Sequence, residues 1–408
     1  MHVLISGAGI AGPTLAYWLA RYGVRSTVVE RSTSLRVGGH AVDIRGAAVD
    51  VIERMGLLDA VHAARTQINT LSVVQNAGKP PLSLAIPRAQ PGHRDLEIVR
   101  DDLARILYES SKQEVTYIFG DSLAELESSS SEVHVTFASG KRQSFDVIVG
   151  ADGQHSVTRK LAFGPESSYA RPFGVYISIF GMPNLLDLQD RAVIYNEPGR
   201  VVGTYSTVGN ERAKAMFLVR SGRPYDTLRE EPAQKTFLLE QFRDMGWETP
   251  RLLAALETCS DFYFDEVAQI HMPRWSNGRV VLLGDAAHGP SPLSGQGTTL
   301  ALVGAYVLAD ALASAPHPSA AFASYEHAVR PFVLPNQAFA SQGMRFLLPN
   351  SKLTIRLRNW VVRAMPLLAR LGLRTDRTLQ RISRAIELPA VRAPAATPLQ
   401  STTAHPQR

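Results

Sequence analysis

Short apolar runs that end on glycine divide this chain into segments. Val3-Leu4-Ile5 passes through Ser6 into Gly7-Ala8-Gly9-Ile10-Ala11-Gly12, and Leu15, Ala16, Leu19 and Ala20 then recur at helical spacing. The expected order is strand, turn, helix. Thr27-Val28-Val29 predicts a second strand ending on Glu30 and Arg31. Two later runs repeat the device: Val147-Ile148-Val149 leads into Gly150-Ala151-Asp152-Gly153, and Val280 to Leu283 leads into Gly284-Asp285. A long helix is expected from Thr298 to Leu312. Between residues 171 and 271 the pattern changes to alternating or apolar stretches at Val175 to Phe180, Ala192 to Tyr195, Val201 to Tyr205 and Ala215 to Val219, which predict an antiparallel sheet. One helical stretch, Thr236 to Met245, interrupts it. Residues 123 to 137 predict a hairpin turning at the serine run 128 to 131.

These elements group into a discontinuous nucleotide-binding domain near residues 1–70, 95–165 and 272–330, and a substrate domain at 171–271. C-terminal helices at 331–388 would cover the seam. The tail at 389–408, rich in Pro, Ala, Thr and Ser, is expected to be disordered.

Composition narrows the setting. The single cysteine, Cys259, rules out an intramolecular disulfide, and with a first strand starting at residue 2 the expectation is a cytoplasmic protein, monomer or homodimer. We expect no apolar stretch of bilayer-spanning length, hence no stable membrane insertion. The net charge of +6 comes from the arginine-rich segment Lys352 to Arg384, with charges nearly balanced elsewhere. Leu353, Ile355, Leu357, Trp360, Val361 and Leu368 interleave with these arginines, so an amphipathic helix packed on the body is expected, and no nucleic-acid partner.

The first glycine turn carries specific chemistry. Gly7 permits the tight turn, Gly9 lets the backbone approach a pyrophosphate, and Gly12 lets helix and strand pack closely. Ile10 and Ala11 then open the helix whose positive end faces the phosphates. Glu30, about 20 residues on, is placed to accept from an adenosine ribose. In the third segment Asp285 follows a buried strand, where a carboxylate suits a polyol hydroxyl. Gly295, Gln296 and Gly297 open the long helix, a second anion site.

With these three segments in this order, the sequence resembles the FAD-dependent aromatic hydroxylases, the single-component flavoprotein monooxygenases whose members include para-hydroxybenzoate hydroxylase and the tetracycline-inactivating flavin monooxygenases. The resemblance implies an α/β fold: a Rossmann-like FAD-binding domain with an antiparallel-sheet substrate domain and C-terminal helices. It implies FAD as cofactor, NADPH or NADH as electron donor, and O2 reacting through a C4a-hydroperoxyflavin to hydroxylate an aromatic or polyketide-like small molecule. In the resemblance Asp285 contacts the ribityl and pyrophosphate region, Pro292 with Gly295 to Gly297 lines the isoalloxazine, Arg100 reaches the phosphate or ribityl chain, and Asp43 lies near the flavin. His288 is expected to be scaffold. Arg36, Arg45 and Asp152 are candidates for a nicotinamide groove, although two nearby arginines also suit a solvated surface. Tyr195, Tyr205, Met216 and Phe217 could meet a flat substrate or fill a core. No protein side chain is assigned as catalyst, and no metal site is expected.

Departures from the family are Thr158 in place of Val before Arg159, Thr299 in place of Asn, and Gly304 in place of an acid. Rival readings are a non-hydroxylating flavoprotein of the same fold, such as a dehydrogenase or a halogenase, and a flavin-dependent small-molecule binding protein. The halogenase run W-x-W-x-I-P is not found.

Overall fold

The computed structural model describes residues 1–35, 39–75, 79–86, 93–370 and 377–393. The glycine-terminated runs assemble into one six-stranded sheet, in the order Ser276–Asn277, Val280–Leu282, Val147–Gly150, His2–Ser6, Arg25–Glu30, Thr116–Phe119. Its pairings are parallel apart from the Ser276–Asn277 edge. Continuous apolar runs suit this arrangement, because such strands are covered on both faces. The helices Ala11–Arg21 and Gly297–Ser314 pack together on it, with Trp18 edge-on to Tyr306 at 4.7 Å between ring centroids. Against expectation, Gly297–Ser314 is long and apolar enough to cross a membrane. It is a core helix, 78% buried, and its apolarity serves that packing.

The second sheet has seven strands, ordered Tyr263–Ile270, Ala170–Pro183, Arg212–Arg220, Arg200–Ser206, Arg191–Glu197, Thr70–Val73, Leu82–Ala85. The first five pair antiparallel, as the alternation predicts. The last two come from a segment the sequence reading left outside the substrate domain, and they join by parallel pairing of Thr70–Val73 with Arg191–Glu197. The single expected helix is two, Glu231–Phe242 and Thr249–Thr258. The break falls at Gly246 and Trp247, where Trp247 takes a φ of 60°, and Pro250 restarts the helix in its first turn.

Leu123–Ser128 and Val133–Phe137 form the expected hairpin, extended by Arg142–Phe145. The C-terminal helices are Pro318–Leu347, Lys352–Arg370 and Arg377–Ser383. Against expectation, Lys352–Arg370 leaves Leu353, Leu357, Trp360 and Val361 exposed. Arg358 faces inward instead, donating to Asn196 Oδ1 at 2.9 Å. Residues 389–393, expected to be disordered, are tied down: the Pro389 carbonyl accepts from Tyr306 and Arg54, and Arg392 pairs with Asp310 at 2.6 Å. Residues 394–408 lie outside the described residues.

Candidate functional site

The first strand ends in a turn that only small residues fit. A Cβ on Gly7, at φ 108°, would lie 2.5 Å from the Ala151 carbonyl oxygen, and one on Gly12 would overlap the Gly7 carbonyl oxygen. Strand, turn and helix therefore close on one another without side chains between them. Glu30 locks the turn by accepting from the Ala8 N–H at 2.9 Å and the Ser32 N–H at 3.1 Å. The Ala11–Arg21 helix has no acidic residue in its first turn, so its positive end is left for an anion. Ile10 and Ala11 are buried, whereas Gly9 is accessible; Arg31 is exposed beyond the strand.

One distant segment reaches this turn, and two more meet at the glycine loop 295–297. The Arg100 Nη2 lies 3.4 Å from where a Gly9 Cβ would stand. Asp285, first residue of a short helix, has its Oδ1 3.6 Å from the equivalent point on Gly297, and the Asp43 Oδ2 lies 3.3 Å from that on Gly295. Gly9, Asp285, Pro292, Gly295 and Gly297 keep solvent access between buried neighbours, and Arg100 and Asp43 are half-buried beside them, which traces a cleft. Although Asp285 keeps solvent access, protein atoms crowd its other sides and raise its pKa, opposed by the positive charge of Arg100. At the cleft's edge Gln296 is fully buried, and neither side-chain amide atom has a partner. A buried donor and acceptor without partners carry a desolvation cost. The accessible helix start at Gly297, beside Gln296, has the chemistry to meet the acceptor edge of a flavin ring. The residues present fit FAD.

The remaining expected groups have other occupations. Ser156 caps the Val157–Phe163 helix, and Asp152 braces that turn by accepting from the Thr158 N–H and hydroxyl, each at 2.9 Å. The hydroxyl that replaces the family's Val is thus put to use. Arg159 is fully buried and joins two motifs, donating to the Ala286 carbonyl at 3.0 Å and to Glu166 at 2.7 Å. Arg45 turns inward to Asp43 at 2.8 Å, with Asp95 beyond it. Its guanidinium is engaged within the protein. Arg36 lies outside the described residues. His288 is buried against Trp275, and burial lowers its pKa to about 3, so it is a neutral packing residue.

The seven-stranded sheet sorts the substrate candidates by the two-residue alternation of a strand. Met216 and Leu218 share one face with Val201, Ile177 and the Leu293 segment. Tyr205 lies on that face too, its hydroxyl accepting from the Ala41 N–H at 3.1 Å. Tyr195 and Phe217 lie on the opposite face, packed with Phe180, Phe242 and Met245 beneath the helices. Neither reaches the cleft, which corrects their assignment as substrate contacts.

Several groups on the cleft face escaped the sequence reading. Lys214, nearly buried, pairs with Asp261 at 2.6 Å, and Asp261 also accepts from the Gly181 N–H at 2.7 Å. The ring of His40 stands 5.6 Å from that of Tyr263, and burial with the nearby charges of Arg100 and Lys214 lowers its pKa to about 4. Asp265 accepts from Tyr263 at 3.2 Å and from His155 at 2.9 Å. Held by Asp265 and Glu166, His155 has its pKa raised to about 10. The signal for Lys214 was present: it is the only charge in the run Ala213 to Val219.

A glycine turn at a helix start, the accessible carboxylate of Asp285 and the glycine loop at 295–297, gathered on one cleft, suit a flavoprotein oxidoreductase. Residues 1–339 match the FAD binding domain family, and the chain belongs to it. A flavin-dependent monooxygenase of an unknown prokaryotic organism is 41% identical over 340 residues, covering 83% of this chain and 88% of that one. The crystal structure of tetracycline destructase Tet(51) aligns with TM-score 0.82 and 34% identity over 95% of this chain and 99% of its own. That of tetracycline destructase Tet(55) aligns with TM-score 0.81 and 39% identity over 95% and 98%. The protein is an FAD-dependent monooxygenase.

Proposed function

We infer that this monooxygenase takes electrons from NADPH or NADH and hydroxylates a polycyclic, polyketide-like aromatic of the tetracycline kind. The observation that carries the reading is the cleft itself. Its flavin-holding wall, built from Gly9, Arg100, Asp285 and Gly295 to Gly297, stands across from a sheet face bearing Tyr205, Lys214, Met216 and Tyr263. The likeness to the two tetracycline destructases supports the substrate class.

When bound, FAD supplies hydride acceptance and oxygen activation. The net reaction consumes one O2, one NAD(P)H and one proton, and yields a hydroxylated product, water and NAD(P)+. The chain's own residues bind and orient. Arg100 and the helix start at Ala11 meet the phosphates. Asp285 would accept from a ribityl hydroxyl, and the helix start at Gly297 would turn its N–H groups toward the flavin ring, where they favour negative charge. The Lys214–Asp261 pair gives this otherwise aliphatic face a polar point for a substrate oxygen. The aliphatic remainder of the sheet face keeps water away from the reacting centre. Arg45 and Asp152 are already engaged in internal contacts, so the nicotinamide donor meets the flavin without a second dinucleotide fold.

The test is direct. The flavin-loaded enzyme is mixed with NADPH, air and tetracycline, and NADPH consumption is followed together with product mass. We expect substrate-stimulated consumption and a product heavier by one oxygen atom. A protein that holds FAD but yields no oxygenated product from a panel of phenolic and polycyclic compounds would overturn the reading in favour of a non-hydroxylating flavoprotein.

A further inference from the structure

The Lys352–Arg370 helix is inverted relative to an ordinary surface helix. Its inward side carries Arg358, 7% exposed, and Val362, 2% exposed. The outward side carries Leu353, Leu357, Trp360 and Val361 at 74%, 60%, 66% and 41% exposure. At about 100° per residue these four share one arc of roughly 100°. The other exposed large apolar side chains among the described residues, Met1, Leu161, Val208, Leu334 and Val391, are scattered along the sequence. A contiguous apolar stripe left in water marks an interaction surface.

The charge around the stripe selects the partner. From His327 to Thr375 the sequence has no Asp or Glu and eight Lys or Arg. Lys352, Arg356 and Arg363 are exposed and fall along one border of the stripe, and Arg345 is exposed just before it. Arg363 donates to the neutral Gln75 amide at 2.8 Å, and among the described residues none of the three border cations meets a carboxylate. A second copy docked on this face by two-fold symmetry would set like charges together with no acid to neutralise them. Leu and Trp on one side with Lys and Arg at the border instead match the boundary between headgroups and acyl chains of an anionic bilayer.

We propose that this helix seats the protein on an anionic phospholipid surface. Leu353, Leu357, Trp360 and Val361 enter the boundary layer, and Lys352, Arg356 and Arg363 meet the lipid phosphates. The flavin-loaded full chain should float with vesicles of equal parts phosphatidylcholine and phosphatidylglycerol, and bind pure phosphatidylcholine vesicles roughly tenfold less well. Raising salt should weaken binding. The double change Leu357→Ser and Trp360→Ser, and separately Arg356→Glu, should each cut binding roughly tenfold. Unchanged flavin content and melting temperature would verify that these surface variants fold. Failure of the wild-type protein to float with the anionic vesicles, or equal flotation of the variants, overturns the proposal. A concentration-dependent dimer dispersed by Trp360→Ser, with no vesicle binding, would assign the face to a second copy instead.

Discussion

The two faces of the seven-stranded sheet differ in what they are made of. Under the helices Glu231–Phe242 and Thr249–Thr258 the face is aromatic and dry, with Tyr176, Phe180, Tyr195, Phe217 and Phe264 packed against Phe237 and Phe242. Facing the cleft it is aliphatic, with Val175, Ile177, Ile179 and Val201, interrupted by Tyr205, Tyr263 and the Lys214–Asp261 pair. Large flat rings on this sheet therefore mark structure, and isolated polar groups mark the site. Burying charge is costly unless it is paired and hydrogen-bonded, so a nearly buried lysine on one face of an otherwise apolar strand calls for an explanation that core packing does not give.

The largest test of this division is Phe217→Ala. Removing a fully buried ring should destabilise the protein by about 3–5 kcal/mol in denaturant unfolding, while substrate KM in the folded fraction stays unchanged. A raised KM without loss of stability would place Phe217 at the substrate and break the comparison. On the other face Asp261→Ala strands a nearly buried ammonium and should cost about 3 kcal/mol. Replacing the pair together, Lys214→Met with Asp261→Leu, should restore most of that stability yet depress substrate-stimulated NADPH oxidation. Recovery of both would reduce the pair to packing.

Across the cleft, Asp285→Ala should leave a ribityl hydroxyl unpaired and weaken FAD binding by about 1–3 kcal/mol, read by flavin titration. Unchanged affinity would make Asp285 only the first residue of its short helix. The smallest effect belongs to the border between the faces, where His155 bonds to Asp265 and stacks on Tyr225 at 5.5 Å. Because the folded-state pKa is raised from 6.5 to about 10, its stabilising contribution is complete below pH 6.5 and disappears as pH rises through 10. The melting temperatures of wild type and His155→Gln should therefore differ most near pH 6 and converge near pH 10. A gap that does not shrink would mean the ring matters by shape alone.

The cofactor wall was largely legible in the sequence because its constraints act on the backbone. A turn closed against Ala151, or a helix packed on a carbonyl oxygen, admits only glycine, and that restriction is written in residue identity. The substrate wall was read less well. Met216 and Phe217 are neighbours in sequence and opposite in space, and nothing in their chemistry tells which face holds the core. His40, Asp261 and Asp265 acquire their environments only when segments distant in sequence meet, His40 with Tyr263, Asp261 with Gly181 and Lys214, and Asp265 with His155. Arg45 and Asp152 remain candidates for a nicotinamide groove in the sequence because it shows neither the turn of Arg45 back onto Asp43 and Asp95 nor the bonds that Asp152 accepts from Thr158. The Lys352–Arg370 helix was read by its periodicity, which identifies a stripe but not the side it faces.

The two strands contributed by residues 70–85 have a consequence for how the chain is made. Thr70–Val73 pairs with Arg191–Glu197, so on the ribosome it emerges about 120 residues ahead of its partner. At typical elongation speeds that is a wait of on the order of ten seconds, during which a short hairpin has an open edge and no sheet to join. Its four-residue strands, with Ser72 and Ser83 facing each other across the ladder, are poor templates for mispairing. Brevity there, with a serine pair in the middle of the ladder, protects the nascent chain until the rest of the sheet arrives.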